Sequence, residues 1–113
     1  MPKGYTPDAG DIAWLYFDPQ AGREQAGHRP ALILSPALYN EKVGLAVCCP
    51  LSSQVKGYPF EVAIKLGKTT SVVLSDQVKS LDWREREAKF KGKVTPIQLK
   101  RVRENIKALL MIE

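Results

Sequence analysis

The chain holds one histidine, His28, and two cysteines, Cys48 and Cys49, which are adjacent. Neighbouring residues of a strand point to opposite faces, so the two thiols are poorly placed to share a metal or to bridge. No Cys-x-x-Cys occurs, and Asp11, Asp18, Glu24, Glu61 and Asp76 form no short carboxylate cluster. No metal or other cofactor is therefore expected, and the cysteines are read as buried thiols of a reducing cytoplasm. There is no phosphate-cradling P-loop and no serine in a strand-to-helix elbow. No apolar run approaches the ~20 residues that cross a bilayer. The opening "MPKGYTPDAGD" lacks the apolar segment of a secretory signal. With no repeat, low-complexity tract or long linker, one domain over residues 1–113, cytoplasmic and without a membrane partner, is expected.

What is present is enough apolar residue for a core, 44%, and a net charge of +5. The charge is unevenly placed. Residues 1–78 are balanced, whereas 79–107 carry ten Lys/Arg against four Asp/Glu. A basic segment beside a neutral one suits an acidic or polyanionic partner, although a lysine-rich face can also be merely solvated. Short strands are expected at 11–18, 29–35, 45–51, 60–66, 70–76 and 78–83, with Pro50 ending its ladder. "DIAWLYFD" is apolar on both faces and reads as buried twice. "DPQAG", "SPALYN", "QVKGYP" and "LGKTT" read as turns. Over 95–112, Thr95 as N-cap, Pro96 and Gln98 make a capping box, and Leu99, Val102, Ile106, Leu109 and Leu110 form one helical stripe. The expected fold is α+β and mainly antiparallel β: a small, strongly bent sheet or barrel with a C-terminal α-helix.

Three polar loops carry the chemistry. "DPQAGREQAGHR" (18–29) is long for a hairpin and brings Glu24, Gln25, His28 and Arg29. "LSSQVKGYPF" (51–60) brings Ser52, Ser53, Gln54, Lys56 and Tyr58, and "SDQVKS" (75–80) brings Asp76, Gln77 and Lys79. Cations for phosphate, amides for base edges and rings for stacking suit an RNA strand with unstacked bases. Phe17 and Tyr58, flanking these loops, are the stacking candidates; Trp14 and Trp83 read as core or dimer interface. Lys79, Arg84 and Arg86 either track phosphates or solubilise the surface.

Taken together, "YTPDAGDIAWLYFDPQAGREQAGHRPALILSPALYN", "CCPLSSQVKGYPFEV" and "LSDQVKSLDWR" resemble the MazF/PemK family of toxin endoribonucleases over roughly residues 5–84. The blocks "GHRPALILS" and "KGYPFEV" are the most specific. The resemblance implies a homodimer built on a compact SH3-like barrel of the MazF/CcdB type. It implies sequence-specific, metal-independent cleavage of single-stranded mRNA to a 2′,3′-cyclic phosphate and a 5′-hydroxyl. It also implies a cognate antitoxin whose acidic, disordered tail covers the RNA groove. The family arginine falls on Arg29. The family threonine falls on Ser52, a departure that keeps the hydroxyl and loses a methyl group and χ1 stiffness. Glu24 and His28 match one branch of the family. Asp76 matches an aspartate with a catalytic or RNA-binding role in some members.

Metal-free cleavage needs a base for the 2′-hydroxyl, stabilisation of the phosphorane and a proton for the 5′ oxygen. A guanidinium is a poor base, and its natural work is bidentate hold on the phosphate. Arg29 is therefore assigned charge stabilisation, with an acid function as a further role. Ser52 hydrogen-bonds the phosphate, and Glu24 or His28 is the base. Phe17, Gln25, Ser53, Gln54, Lys56, Tyr58, Asp76, Gln77 and Lys79 are the expected RNA contacts. The alternative is a non-catalytic barrel that binds nucleic acid or a protein target such as DNA gyrase, as the related CcdB toxins do.

Overall fold

The computed structural model describes residues 4–17 and 28–113. Among them run β1 (Asp11–Tyr16), β2 (His28–Ile33), α1 (Ala37–Val43), β3 (Leu45–Ser52), β4 (Glu61–Leu66), β5 (Thr69–Leu74), β6 (Lys79–Asp82), β7 (Lys89–Lys93) and α2 (Pro96–Leu110). Every strand pairing is antiparallel, in the order β4-β5-β3-β2-β1-β7 with β6 also on β3. This is the expected bent antiparallel sheet, a half-barrel closed on one side by the C-terminal helix.

β3 is the strand on which the sheet bends. Leu45–Cys48 pair with β6 and Cys48–Pro50 with β2, while Leu51 and Ser52 pair with β5. Pro50 has no N–H to give, and its pairing with Ala31 is the last between β2 and β3. Pro50 thus ends that ladder as expected. The strand itself does not end, because its other edge passes to β5.

Alternation sends β1 into two cores, as its two apolar faces require. Ile12 joins Leu32, Cys49, Leu51, Val62, Ile64, Val73 and Val102 beneath α2. Ala13 and Leu15 join Ala31, Ile33, Ala46, Cys48 and Trp83 on the opposite face. Cys48 and Cys49 fall in different clusters and are free and buried. Trp83 is core, donating its indole N–H to the Asn40 carbonyl, whereas Trp14 is only half-buried.

Two elements depart from the sequence reading. "SPALYN" opens α1 rather than a turn. Pro36 caps it, Gly44 closes it at φ +83°, and buried Asn40 donates to the Pro7 and Ser35 carbonyls. Seven residues containing Asn and preceded by Pro offer no helical stripe long enough to read. "KFKGK" forms β7, an edge strand whose lysines hide its pattern and also blunt the edge. The α2 capping box is present, with Thr95 Oγ1 accepting from the Gln98 N–H and Gln98 Oε1 accepting from the Thr95 N–H. Its stripe packs through Leu99, Val102 and Ile106, but Leu109 and Leu110 stay 42% and 57% exposed. The last turn runs beyond the residues that cover the helix.

Candidate active site

β2 and β3 part beyond Pro50, and a depression of about 480 Å3 opens between them. His28, Arg29, Pro30, Leu51, Ser52, Ser53, Gln54 and Ser71 line it. Continuing the Ala31–Pro50 register by two residues sets Arg29 opposite Ser52. Alternation puts both on the face of Ala31 and Pro50, so a cation and a hydroxyl share one rim.

Ser52 Oγ accepts the Gln54 N–H at 3.0 Å, which fixes the oxygen and leaves its proton to donate outward. The exposed Arg29 guanidinium lies 6.0 Å from the Phe17 ring centre, and Lys79 Nζ lies 5.6 Å from the same ring. Two cations thus flank one half-buried aromatic face. Among the described residues no carboxylate pairs with Arg29; the ion pair there is Lys93–Asp11 at 2.6 Å.

His28 takes the other face of β2. Its ring stacks on Tyr16 at 3.8 Å and lies 6.1 Å from Trp14. Its Nε2 is buried without a hydrogen-bond partner among the described residues. Adjacent in sequence, His28 and Arg29 reach the depression from opposite sides of one strand. Glu24 and Gln25 lie outside the described residues.

The 53–60 loop is braced at several points. Glu61 accepts the Lys56 N–H at 3.2 and 3.1 Å and the Gly57 N–H at 2.8 Å. Gly57, at φ +82°, supplies the left-handed turn this needs. Tyr58 donates its hydroxyl to both Asp76 oxygens at 2.9 Å and meets Phe60 edge-on at 6.5 Å. That hydrogen bond raises the Tyr58 hydroxyl above the usual range. Gln77 donates its N–H to the Leu74 carbonyl and is exposed. Lys56, Tyr58, Asp76, Gln77 and Lys79 do not line the depression; Ser53 and Gln54 do.

Two residues escaped the sequence reading. Ser71 lines the depression from β5, and only the β3–β5 register brings it there. Glu61 is the carboxylate that shapes the loop, and nothing in "FEV" marks it for that. Arg84 and Arg86 donate to the Glu41 and Tyr16 carbonyls. Burial pushes the Cys48 and Cys49 thiols up to about 12, so neither is a ready nucleophile. Among the described residues no three of His, Cys, Asp or Glu gather as metal ligands. No helix there is long and apolar enough to cross a membrane.

The profile of the PemK-like, MazF-like toxins of type II toxin–antitoxin systems matches residues 8–110. The chain belongs to this family. The Endoribonuclease toxin MazF of Escherichia coli K12 is 49% identical over 110 residues, 97% of this chain and 99% of that one. Endoribonuclease PemK of Escherichia coli is 34% identical over 87 residues, 73% of this chain and 65% of its own. Among solved structures, MazF in a MazE–MazF crystal from Deinococcus radiodurans superposes with a TM-score of 0.90 at 49% identity. The match covers 97% of this chain and 100% of that one. The PemK/MazF fold thus extends from β1 through α2, including the C-terminal helix.

Proposed function

We propose that this chain is the RNA-cleaving toxin of a toxin–antitoxin pair. It works as a cytoplasmic homodimer on single-stranded RNA, chiefly mRNA, at a short recognition sequence and without a metal. The observation that carries this reading is that Arg29 and Ser52 line one depression, where the β2–β3 ladder has parted. The named endoribonuclease relatives match it along nearly the whole chain.

The chemistry follows from those groups. Arg29 grips the scissile phosphate bidentately and stabilises the charge that grows on the phosphorane. Ser52 donates to a phosphate oxygen. The 2′-hydroxyl loses its proton to Glu24 or His28 and attacks phosphorus, the 5′ oxygen leaves with a proton, and the products are a 2′,3′-cyclic phosphate and a 5′-hydroxyl. Arg29 is suited to return that proton as well. Phe17 offers a stacking face, Lys79 a phosphate contact, and Ser53 and Gln54 amide and hydroxyl groups to base edges. Gln25, Lys56, Tyr58 and Gln77 extend the surface. An antitoxin with an acidic tail would cover the same cations; the Deinococcus radiodurans relatives are crystallised as MazE–MazF.

The test is purified protein and single-stranded RNA in excess EDTA, with end-group analysis. Cyclic phosphate and 5′-hydroxyl ends are expected. Cutting that returns only with Mg²⁺ refutes the metal-free route, and tight binding without any product favours the non-catalytic barrel.

A further inference from the structure

We propose that Asp76 is a positioning residue that holds Tyr58, and through it the 53–60 loop, in the attitude that receives RNA. This rests on the RNA-cleavage reading above. It assigns Asp76 neither proton transfer nor direct contact with the substrate.

Three observations carry it. First, both Asp76 oxygens are engaged by one partner, the Tyr58 hydroxyl, at 2.9 Å each. The carboxylate is thereby turned onto the 53–60 loop. Second, Asp76 stands on a fixed frame. Ser75 is fully buried; its N–H and hydroxyl both donate to the Phe60 carbonyl, at 3.1 and 2.5 Å. Asn105 of α2 donates to the Ser75 hydroxyl at 3.0 Å, and the Gln77 N–H closes the turn on the Leu74 carbonyl at 3.0 Å. The carboxylate is thus presented by a turn tied to both the sheet and the helix.

Third, the loop needs this hold. Its exposed stretch from Ser53 to Gly57 has the Glu61 carboxylate as a brace near Lys56 and Gly57. Its aromatic end has the Asp76 bond to Tyr58. Ser53 and Gln54, at the start of the same loop, line the depression beside Ser52. Releasing Tyr58 frees a ring that RNA binding must then order again, a cost that falls on affinity rather than on the chemical step.

The test compares Tyr58→Phe, Asp76→Ala, Asp76→Asn and the Tyr58→Phe/Asp76→Ala double variant in RNA cleavage, with KM and kcat separated. Each of Tyr58→Phe and Asp76→Ala is expected to raise KM by roughly three- to tenfold with kcat nearly unchanged. The double variant should be no worse than either single one, since both remove the same bond. Asp76→Asn keeps an acceptor for the phenol and should stay within about twofold of the parent. Absorbance titration adds a readout free of RNA: of the two phenols raised in the parent, Tyr5 and Tyr58, Tyr5 is expected to stay raised in every variant, while the Tyr58 phenol returns toward the usual range in Asp76→Ala and is missing in Tyr58→Phe. A fall in kcat shared by Asp76→Asn and Asp76→Ala, or effects that multiply in the double variant, overturns the proposal. Tyr58→Phe cuts the bond from its other end, so a folding defect confined to Asp76→Ala does not decide the outcome. A parent chain that cuts no RNA fails the cleavage reading, whereas normal cutting by Asp76→Ala fails this one.

Discussion

Arg29 is useful because of what surrounds it as much as for its charge. A strand-opening arginine is ordinarily a solvated surface group. Here it stands beside an aromatic face and across from a hydroxyl, with no carboxylate among the described residues to quench it. Arg29→Ala should lower RNA cleavage by orders of magnitude while the melting temperature holds, as gel assays and circular dichroism would show. Ser52 asks a finer question. Its oxygen is already fixed by the Gln54 N–H, so the missing threonine methyl costs little in orientation. Ser52→Thr should cut RNA within a few-fold of the parent, and Ser52→Ala should lose about tenfold to a hundredfold, measured as kcat/KM. A residue of a different kind is Asp11, only 3% exposed and accepting from the Tyr5 hydroxyl, the Asp8 N–H and Lys93. Tyr5→Phe removes one donor from a buried carboxylate and should cost about 1.5–3 kcal/mol in urea unfolding.

At the scale of elements, β2 separates what the sequence puts side by side. Alternation alone directs His28 toward Tyr16 and Trp14 and Arg29 toward Phe17. β3 then makes the depression by changing partners at a residue that cannot donate. α2 is closed at its start by its own cap and held on the sheet by Leu99, Ile106 and Val102, the last fully buried. Thr95→Ala frees the Gln98 N–H and should cost about 1 kcal/mol. Leu32→Ala, in the cluster under the helix, should cost about 2–5 kcal/mol. Neither residue lines the depression, so chemical denaturation should move while kcat stays.

For the whole molecule, two cores share one sheet and several groups are kept neutral inside. Burial, and then the bond to Asp11 and its charge, holds the Tyr5 phenol well above its ordinary value. Burial holds both thiols near 12 against an ordinary 9.0. Each folded group keeps its proton to higher pH than the unfolded chain does. Their contribution to stability is therefore complete below about pH 8 and is lost as pH climbs from about 9 toward 12. The urea midpoint should fall across that window, and Tyr5→Phe should make the fall shallower.

The sequence by itself determined the class of fold, the sheet's main strands, the capped helix and the family. Those follow from local periodicity, turn chemistry and three specific blocks. It also brought Arg29 and Ser52 forward as residues of one site. It left α1 and β7 unread, because Asn40 earns its place only against Pro7 and Ser35, and the β7 lysines only at a sheet edge. Tertiary structure alone decided that His28 and Arg29 face apart, that Ser71 joins the depression, and that Asp76 grips Tyr58. Each of these depends on strand register or on contacts between residues far apart in the chain, and local pattern carries neither.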